Sequence, residues 1–142
     1  MTGSVVSQQS TVNKFFPKVD PGVKPFGSRV LVQIRAARSV SNGGIILTDS
    51  AKDTERDNTQ VAMVLAIGPL AYKNRNTMAS WPEGSWCEPG QFVFVPKYGG
   101  IRFELKVPAD VESYDDAVQF AIIDDLNVIG AVDDPSAFKA FV

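Results

Sequence analysis

The chain has 142 residues, of which 44% are hydrophobic and 21% are charged, and this mix predicts one globular domain. Its net charge of −2 and its pI of about 5.1 argue against a nucleic-acid partner, because such partners attract basic surfaces. No apolar run approaches the roughly 20 residues needed to cross a bilayer, and the N-terminus lacks the pattern of a secretory signal. We therefore expect a cytoplasmic protein with no membrane partner.

The residue types that the sequence lacks restrict its chemistry. It has no histidine and a single cysteine, Cys87, which excludes an internal disulfide and fits a reducing cytoplasm. The usual zinc, copper and haem ligand sets cannot be assembled, and the commonest general base is missing. The pairs Asp115-Asp116, Asp124-Asp125 and Asp133-Asp134 are expected to be solvated turn formers. We expect no catalytic residue and no metal ion, although these residue types alone do not exclude enzymatic chemistry.

The N-terminal part of the chain predicts an arm followed by a strand. Residues 1–24 are polar and interrupted by proline and glycine, which favours an extended or disordered arm. Phe15 and Phe16 are exceptions and are suited to tether the arm to a neighbouring surface. The stretch "RVLVQIRA", residues 29–36, alternates β-branched and polar side chains with one break at Leu31, and predicts a β-strand.

The remaining elements are short strands separated by turns. Residues 70–90 contain several asparagines, prolines and glycines, which predicts a loop or a weak hairpin. A short helical turn is possible within "VPADVESYDDAVQF". Further strands are predicted in "QVAMVLAIG", "QFVFVP" and "IRFELKV", and two more in "VQFAIIDDLNVIGAV" on either side of a turn. Short strands punctuated by Gly and Pro turns indicate an all-β barrel or sandwich.

Residues 36–59 form a long polar segment with one apolar tripeptide. Such a tripeptide is usually an edge strand that packs back on the barrel, but its polar flanks offer no second apolar face. The other interpretation is a recognition element ordered on binding, in which each buried aliphatic contributes roughly 1.5–3 kcal/mol. Ordering costs roughly 1–2 kcal/mol per residue, so several linked copies would be needed. The candidate binding residues are Gly43, Gly44, Ile45, Ile46 and Leu47.

The order of these stretches resembles the GroES-type co-chaperonins of the chaperonin-10 family. The first half of that family matches "PFGSRVLVQIRAARSVSNGGIILTDSAKDTERDNTQVAMVLAIGP", which contains its Gly-Gly-Ile-Ile-Leu motif. Its later strands resemble "EPGQFVFVPKYGGIRFE" and "FAIIDDLNVIGAV". The resemblance covers residues 25–132, which it implies to be a small GroES-like β-barrel. The motif in a polar loop is fairly specific, whereas the other matches are individually weak but occur in the right order.

The resemblance implies a function as well as a fold. Members assemble into a ring of seven subunits that caps a GroEL-type chaperonin and encloses an unfolded substrate protein. Residues 36–59 correspond to the family's long mobile loop, so Ile45, Ile46 and Leu47 would be its apolar anchors and Gly43 and Gly44 a flexible lead-in. ATP is bound by the partner, so the resemblance implies neither a cofactor nor an enzyme.

Several departures from the family pattern are informative. The stretch between Leu47 and Val64 is a few residues longer than in ordinary bacterial members, and residues 70–90 do not resemble the family's roof hairpin. Trp81 and Trp86 either fill the top of the dome or pack on the barrel, and packing is favoured. The arm 1–24 and the tail 133–142 have no counterpart in short bacterial members. These features resemble bacteriophage co-chaperonins that replace the host cap to fold a bulky major capsid protein.

Two alternatives remain open at this point. A structural β-barrel of a phage or cell assembly, with no chaperonin partner, would use Ile45 to Leu47 as core, so Ile45→Ser would weaken its domain. The barrel half of an alcohol-dehydrogenase-like enzyme is disfavoured, because the sequence contains neither a dinucleotide-binding fingerprint nor zinc ligands.

Overall fold

A computed structural model describes residues 12–36 and 60–137 of the chain. Within these ranges, six strands form one antiparallel sheet in the order β4-β5-β1-β2-β3-β6, and a short 3-10 helix, Asp125–Asn127, links β5 to β6. The all-β prediction is confirmed, and each strand lies in a stretch predicted as one, except that β5 begins one residue earlier, at Ala117. The strands are β1 Arg29–Ile34, β2 Val61–Ile67, β3 Phe92–Phe94, β4 Ile101–Lys106, β5 Ala117–Asp124 and β6 Gly130–Val132.

The core consists of three apolar clusters. Val93 of β3 and Ala121 of β5 belong to the same cluster although β1 and β2 separate them in the sheet, so the sheet curves around this first cluster. The second cluster lies on the opposite face of β1, and the third joins the N-terminal arm to β2. The second cluster is built on Leu31, Val107, Val118 and Phe120, and the third on Phe15, Phe16 and Val61.

The central strand β1 is buried on both faces, which explains the break in its alternation. Val30 and Val32 point into the first cluster, whereas Leu31 points into the second. Gln33 and Arg35 are also buried, at 1% and 2% exposure, although polar residues that alternate along a strand usually face solvent. The polar face of β1 is therefore covered by another part of the chain.

A β-bulge explains why β2 reads as a continuous apolar run. The pairing of β1 with β2 shifts between Leu31 and Val32, which leaves Leu65 as an extra residue on β2. Val64 and Ile67 therefore both contact the first cluster, although residues three positions apart on a regular strand face opposite sides. Side chains between them pack against the second cluster instead, so both faces of this strand are apolar.

Two local predictions differ from the structure. The short helical turn suggested within residues 107–120 is absent; Val111 N–H donates to the Pro108 carbonyl in a simple turn before β5 begins. A helical turn forms instead at residues 12–15, where Phe16 N–H donates to the Val12 carbonyl at 2.9 Å. This turn allows the adjacent residues Phe15 and Phe16 both to be buried on the barrel.

Candidate functional site

The predicted binding residues Gly43, Gly44, Ile45, Ile46 and Leu47 lie outside the described residues. The structure does describe the base of the segment that carries them. β1 and β2 are antiparallel neighbours in which Ile34 pairs with Ala62, and Arg35 N–H donates to the Val61 carbonyl at 3.0 Å. The described residues that flank the segment 37–59 therefore lie side by side at one end of the sheet.

Both terminal parts of the described chain meet at this base. The amide of Ala36, the last described residue before the segment, donates to the Phe15 carbonyl at 2.8 Å. The Arg35 guanidinium lies over the Phe15 ring, 5.1 Å from its centroid, and its Nη1 donates to the Pro135 carbonyl at 2.8 Å. Arg35 thus contacts the arm on one side and the C-terminal stretch on the other.

Sequence reasoning did not identify Gln33 and Arg35 as functional candidates. The Gln33 side chain donates from Nε2 to the Pro17 carbonyl at 2.8 Å, two residues before Arg35. Gln33 lies on β1 and Arg35 directly follows it, and each donates to a proline carbonyl of a terminal segment. The available signal was the central, apolar character of β1 together with terminal extensions long enough to cover it.

Residues 70–90 lie against the barrel. Trp81 packs on the first core cluster, and its ring is 5.5 Å from Tyr72 and 5.6 Å from Trp86. The preferred interpretation of packing therefore holds for Trp81, whereas Trp86 stays 38% exposed. Lys73 and Ser80 form an isolated antiparallel bridge, which is flanked by backbone hydrogen bonds from Asn74 N–H to the Ala79 carbonyl and from Trp81 N–H to the Tyr72 carbonyl. The predicted loop or weak hairpin is thus a short hairpin over residues 72–81 followed by a loop, and aromatic contacts hold it against the barrel.

Tyr72 fixes the start of this loop in an unusual backbone conformation. Its φ is +59°, in the left-handed region that non-glycine residues seldom adopt. Asp125 holds it there, because its Oδ2 accepts the Tyr72 N–H and its carbonyl accepts the Tyr72 hydroxyl, both at 3.0 Å. Burial raises the pKa of Tyr72 and also that of the Cys87 thiol, whose Sγ lies 3.5 Å from the Tyr72 hydroxyl.

The paired carboxylates have structural roles. Asp125 bonds Tyr72, the Asp115 carboxylate accepts the Asp116 N–H at 2.8 Å, and Asp134 accepts both the N–H and the hydroxyl of Ser136. These two hydrogen bonds lower the pKa of Asp134. The prediction that these residues form turns is right. The prediction that they are solvated is wrong for Asp115 and Asp125, which are buried. Their carboxylates accept backbone N–H groups, which compensates for the loss of water.

The acidic side chains and the cysteine of the described residues do not form a metal site. Across residues 12–36 and 60–137, no three His, Cys, Asp or Glu side chains come together in a way that could hold a metal ion. The same ranges include no helix of the length and apolarity that a membrane span requires. The features that remain for a function are the base of the segment 37–59, the loop 70–90 and the two sheet edges.

Comparison with known proteins agrees with the order of these elements. The family model described as "Chaperonin 10 Kd subunit" matches residues 22–116. The co-chaperonin GroES of Methylacidiphilum infernorum (isolate V4) is 34% identical over 87 residues, which is 61% of this chain and 80% of that protein. Co-chaperonin GroES 1 of Rhodopirellula baltica is 34% identical over 86 residues, 58% of this chain and 74% of its own length.

A third relative extends the same pattern to another bacterial group. The co-chaperonin GroES of Corynebacterium jeikeium (strain K411) is 34% identical over 84 residues, 59% of this chain and 75% of the relative. The matched family region includes β1, the base of the segment 37–59, β2, β3 and β4. The chain therefore belongs to the chaperonin 10 kDa family, the GroES-type co-chaperonins, which assist protein folding and are not enzymes.

Proposed function

We propose that the protein is the cap of a GroEL-type chaperonin and that residues 36–59 are its binding loop. The observation that supports this most directly is the base of the loop, where Arg35 N–H donates to the Val61 carbonyl across adjacent strands. The described residues on either side of residues 37–59 are therefore neighbours in the sheet, as a loop between adjacent strands requires. The Gly-Gly-Ile-Ile-Leu motif of residues 43–47 supplies the apolar contacts for a groove on the partner.

The place of the tripeptide within the segment fits this role. Ile45 to Leu47 lie close to the midpoint of residues 37–59, where a projecting segment is farthest from both of its ends. At about 3.3–3.6 Å per extended residue, half of this segment spans at most about 40 Å. The apolar residues can therefore reach a partner surface well beyond the barrel.

Assembly into a ring of seven is part of the proposal. Among the described strands, β4 and β6 are the two sheet edges, and uncovered edges invite pairing with another chain. Leu126 and Ile129, at 64% and 68% exposure, precede β6 and offer apolar surface beside one edge. Two different edges on one subunit suit a head-to-tail contact, which closes into a ring when the rotation allows. Seven subunits of 15.4 kDa would have a mass of about 108 kDa.

We also propose a narrower role, in which the protein is encoded by a bacteriophage and acts in the host cytoplasm. It would replace the host cap during folding of a major capsid protein. The support is the long segment 36–59, the loop 70–90 held against the barrel, and an arm packed on the core through Phe15 and Phe16. In this proposal, the segment 36–59 changes the contact with the chaperonin, and the loop 70–90 changes the part of the cap that faces the enclosed substrate.

The central test is complex formation with a bacterial GroEL-type chaperonin in the presence of ADP or ATP, measured by gel filtration and native mass spectrometry. The wild-type protein should form a nucleotide-dependent complex. A variant with Ile45, Ile46 and Leu47 all changed to Ser should lose it while keeping its thermal stability. Val40→Ser is the matched control, because it removes an aliphatic side chain from the same segment outside the motif, and it should bind normally.

The alternative of a structural barrel without a chaperonin partner makes the opposite prediction. In that case the triple Ser variant would lose thermal stability, since the tripeptide would be core, and the wild-type protein would bind no chaperonin. Equal binding by the wild-type and triple variant proteins would also overturn the loop assignment. A synthetic peptide of residues 37–59 provides a further check, because it should compete with the full protein for the chaperonin.

The narrower role has its own test. A phage major capsid protein is expressed with the host chaperonin and either this protein or the host cap, and the soluble capsid protein is measured. The proposal expects a larger soluble fraction with this protein. An equal yield with both caps would remove the capsid specialisation and leave the general role intact.

A further inference from the structure

A buried arginine at the base of the binding loop is left unexplained by the function proposed so far. Arg35 is 2% exposed, directly after the central strand β1 and two residues before the segment 37–59. We infer that Arg35 is a positioning residue through which the N-terminal arm and the C-terminal stretch fasten the base of the loop and thereby strengthen binding of the chaperonin. The inference rests on the proposed function and extends it to segments beyond the family barrel.

The surroundings of Arg35 support a specific role, because a buried guanidinium is costly without well-placed partners. Its Nη1 donates to the carbonyl of Pro135, one hundred positions along the chain, and its Cζ lies over the Phe15 ring, 5.1 Å from the centroid. A planar guanidinium can stack and donate at the same time, whereas a lysine ammonium lacks the stacking plane. The one side chain therefore holds the two terminal segments together.

These contacts extend to both strands at the base of the loop. On the β1 side, Ala36 N–H donates to the carbonyl of Phe15, whose ring Arg35 covers. On the β2 side, Val61 packs in the third cluster with Phe15 and Phe16. The arm therefore packs against Ala36 and Val61, the described residues near the two ends of the segment 37–59.

Fastening the base affects binding through conformational entropy. A residue that is already fixed in the free protein does not have to be ordered when the partner binds, so its ordering cost is removed from the binding free energy. A ring binds through several copies at once, so a small change in each subunit is multiplied in the assembly. Loosening the base should therefore weaken chaperonin binding even when the barrel stays folded.

The test compares Arg35→Met with Arg102→Met. Arg102 is a matched control because its Nη2 also donates to a proline carbonyl, that of Pro96, at 2.7 Å, but on the edge strand β4. A second variant that ends the chain after Asp133 removes the Pro135 acceptor without changing β1. For each protein, amide hydrogen exchange is measured at Ala36 and at Val32, and chaperonin affinity is measured in ADP.

We expect Arg35→Met and the shortened chain to raise exchange at Ala36 at least tenfold while exchange at mid-strand Val32 changes much less. Chaperonin affinity should fall at least fivefold in both, and Arg102→Met should show neither effect. A merely structural role for Arg35 would raise exchange at both amides together, which would overturn the inference. Unchanged exchange at Ala36, or an unchanged affinity despite faster exchange, would do the same.

Failure of the inference can be distinguished from failure of the proposed function. If the wild-type protein binds no chaperonin, the proposed function fails and the link between the fastened base and binding fails with it. If the wild-type protein binds and Arg35→Met binds equally well, the proposed function stands and this inference alone is wrong.

Discussion

Replacing Phe15 with alanine tests whether the N-terminal arm is part of the folded domain. The Phe15 side chain is 5% exposed and its ring lies 4.7 Å from the Tyr114 ring, at an angle of 55°. It also supports the Arg35 guanidinium and packs against Val61. Phe15→Ala removes the ring and leaves the backbone hydrogen bond to Ala36 possible, so the change isolates the packing of the arm.

The expected loss follows from this degree of burial. A Phe→Ala change in a core costs about 3–5 kcal/mol, which includes the lost transfer free energy and the cavity left behind. The tilted pair with Tyr114 adds roughly 0.5–1.5 kcal/mol beyond the buried area. The third cluster is built partly from a terminal segment, which can collapse into the space more readily than a closed core. We therefore expect a loss near the lower end, about 3 kcal/mol of the unfolding free energy.

The measurement is urea-induced unfolding followed by tryptophan fluorescence, at concentrations where the midpoint does not depend on protein concentration. Phe26→Ala is the matched control, because Phe26 is 71% exposed and its loss should change stability by no more than about 0.5 kcal/mol. A loss below about 1 kcal/mol in Phe15→Ala would refute the reasoning, since the arm would then contribute little to the fold in solution. Equal losses in the two variants would have the same meaning.

Three further predictions concern the loop 70–90, a turn and the thiol. Tyr72→Phe should cost about 1 kcal/mol in urea unfolding, because it removes the hydroxyl bond to the Asp125 backbone carbonyl. Asp125→Ala should cost about 2–3 kcal/mol, because it removes the carboxylate acceptor of the buried Tyr72 N–H; the reverse order would contradict the assignment. Gly100→Ala should cost at least about 3 kcal/mol, since a Cβ would collide with a β5 carbonyl, whereas Gly84→Ala, also at positive φ but in open space, should cost about 1–2 kcal/mol. Burial raises the pKa of the Cys87 thiol in the folded protein, so this thiol ionises at a lower pH in the unfolded chain. The contribution of Cys87 to the unfolding free energy should therefore be constant below about pH 8.5 and fall as the pH rises above it. The native thiol should not react with Ellman's reagent at pH 8, and Cys87→Ala should lose less stability between pH 8 and 10 than the wild type.

The strands were predictable because their signals are local. β-branched and aromatic residues in short runs, ended by Gly and Pro turns, located all six strands of the described sheet. The apolar run of β2 indicated a strand buried on both faces, and the bulge at Leu65 supplies the geometry for it. The packing of Trp81 was also predictable, because a large apolar ring in a polar loop is most stable against the core.

The structure does not test the candidate binding residues. Gly43 to Leu47 were identified from an apolar tripeptide in a polar segment and from the family motif, and they lie outside the described residues. They remain a prediction that the chaperonin experiment tests. The structure contributes the base of the segment, which places both of its ends at one point of the barrel.

The sequence by itself determined the strands, the turns and the family to which the chain belongs, because residue size, branching and backbone preference act between near neighbours. Only the tertiary structure decided that Gln33 and Arg35 are buried, since their partners Pro17 and Pro135 lie 16 and 100 positions away. Whether a polar side chain faces water or a carbonyl depends on which distant segment covers it. That choice follows from the packing of the whole chain and cannot be read from the local alternation of β1.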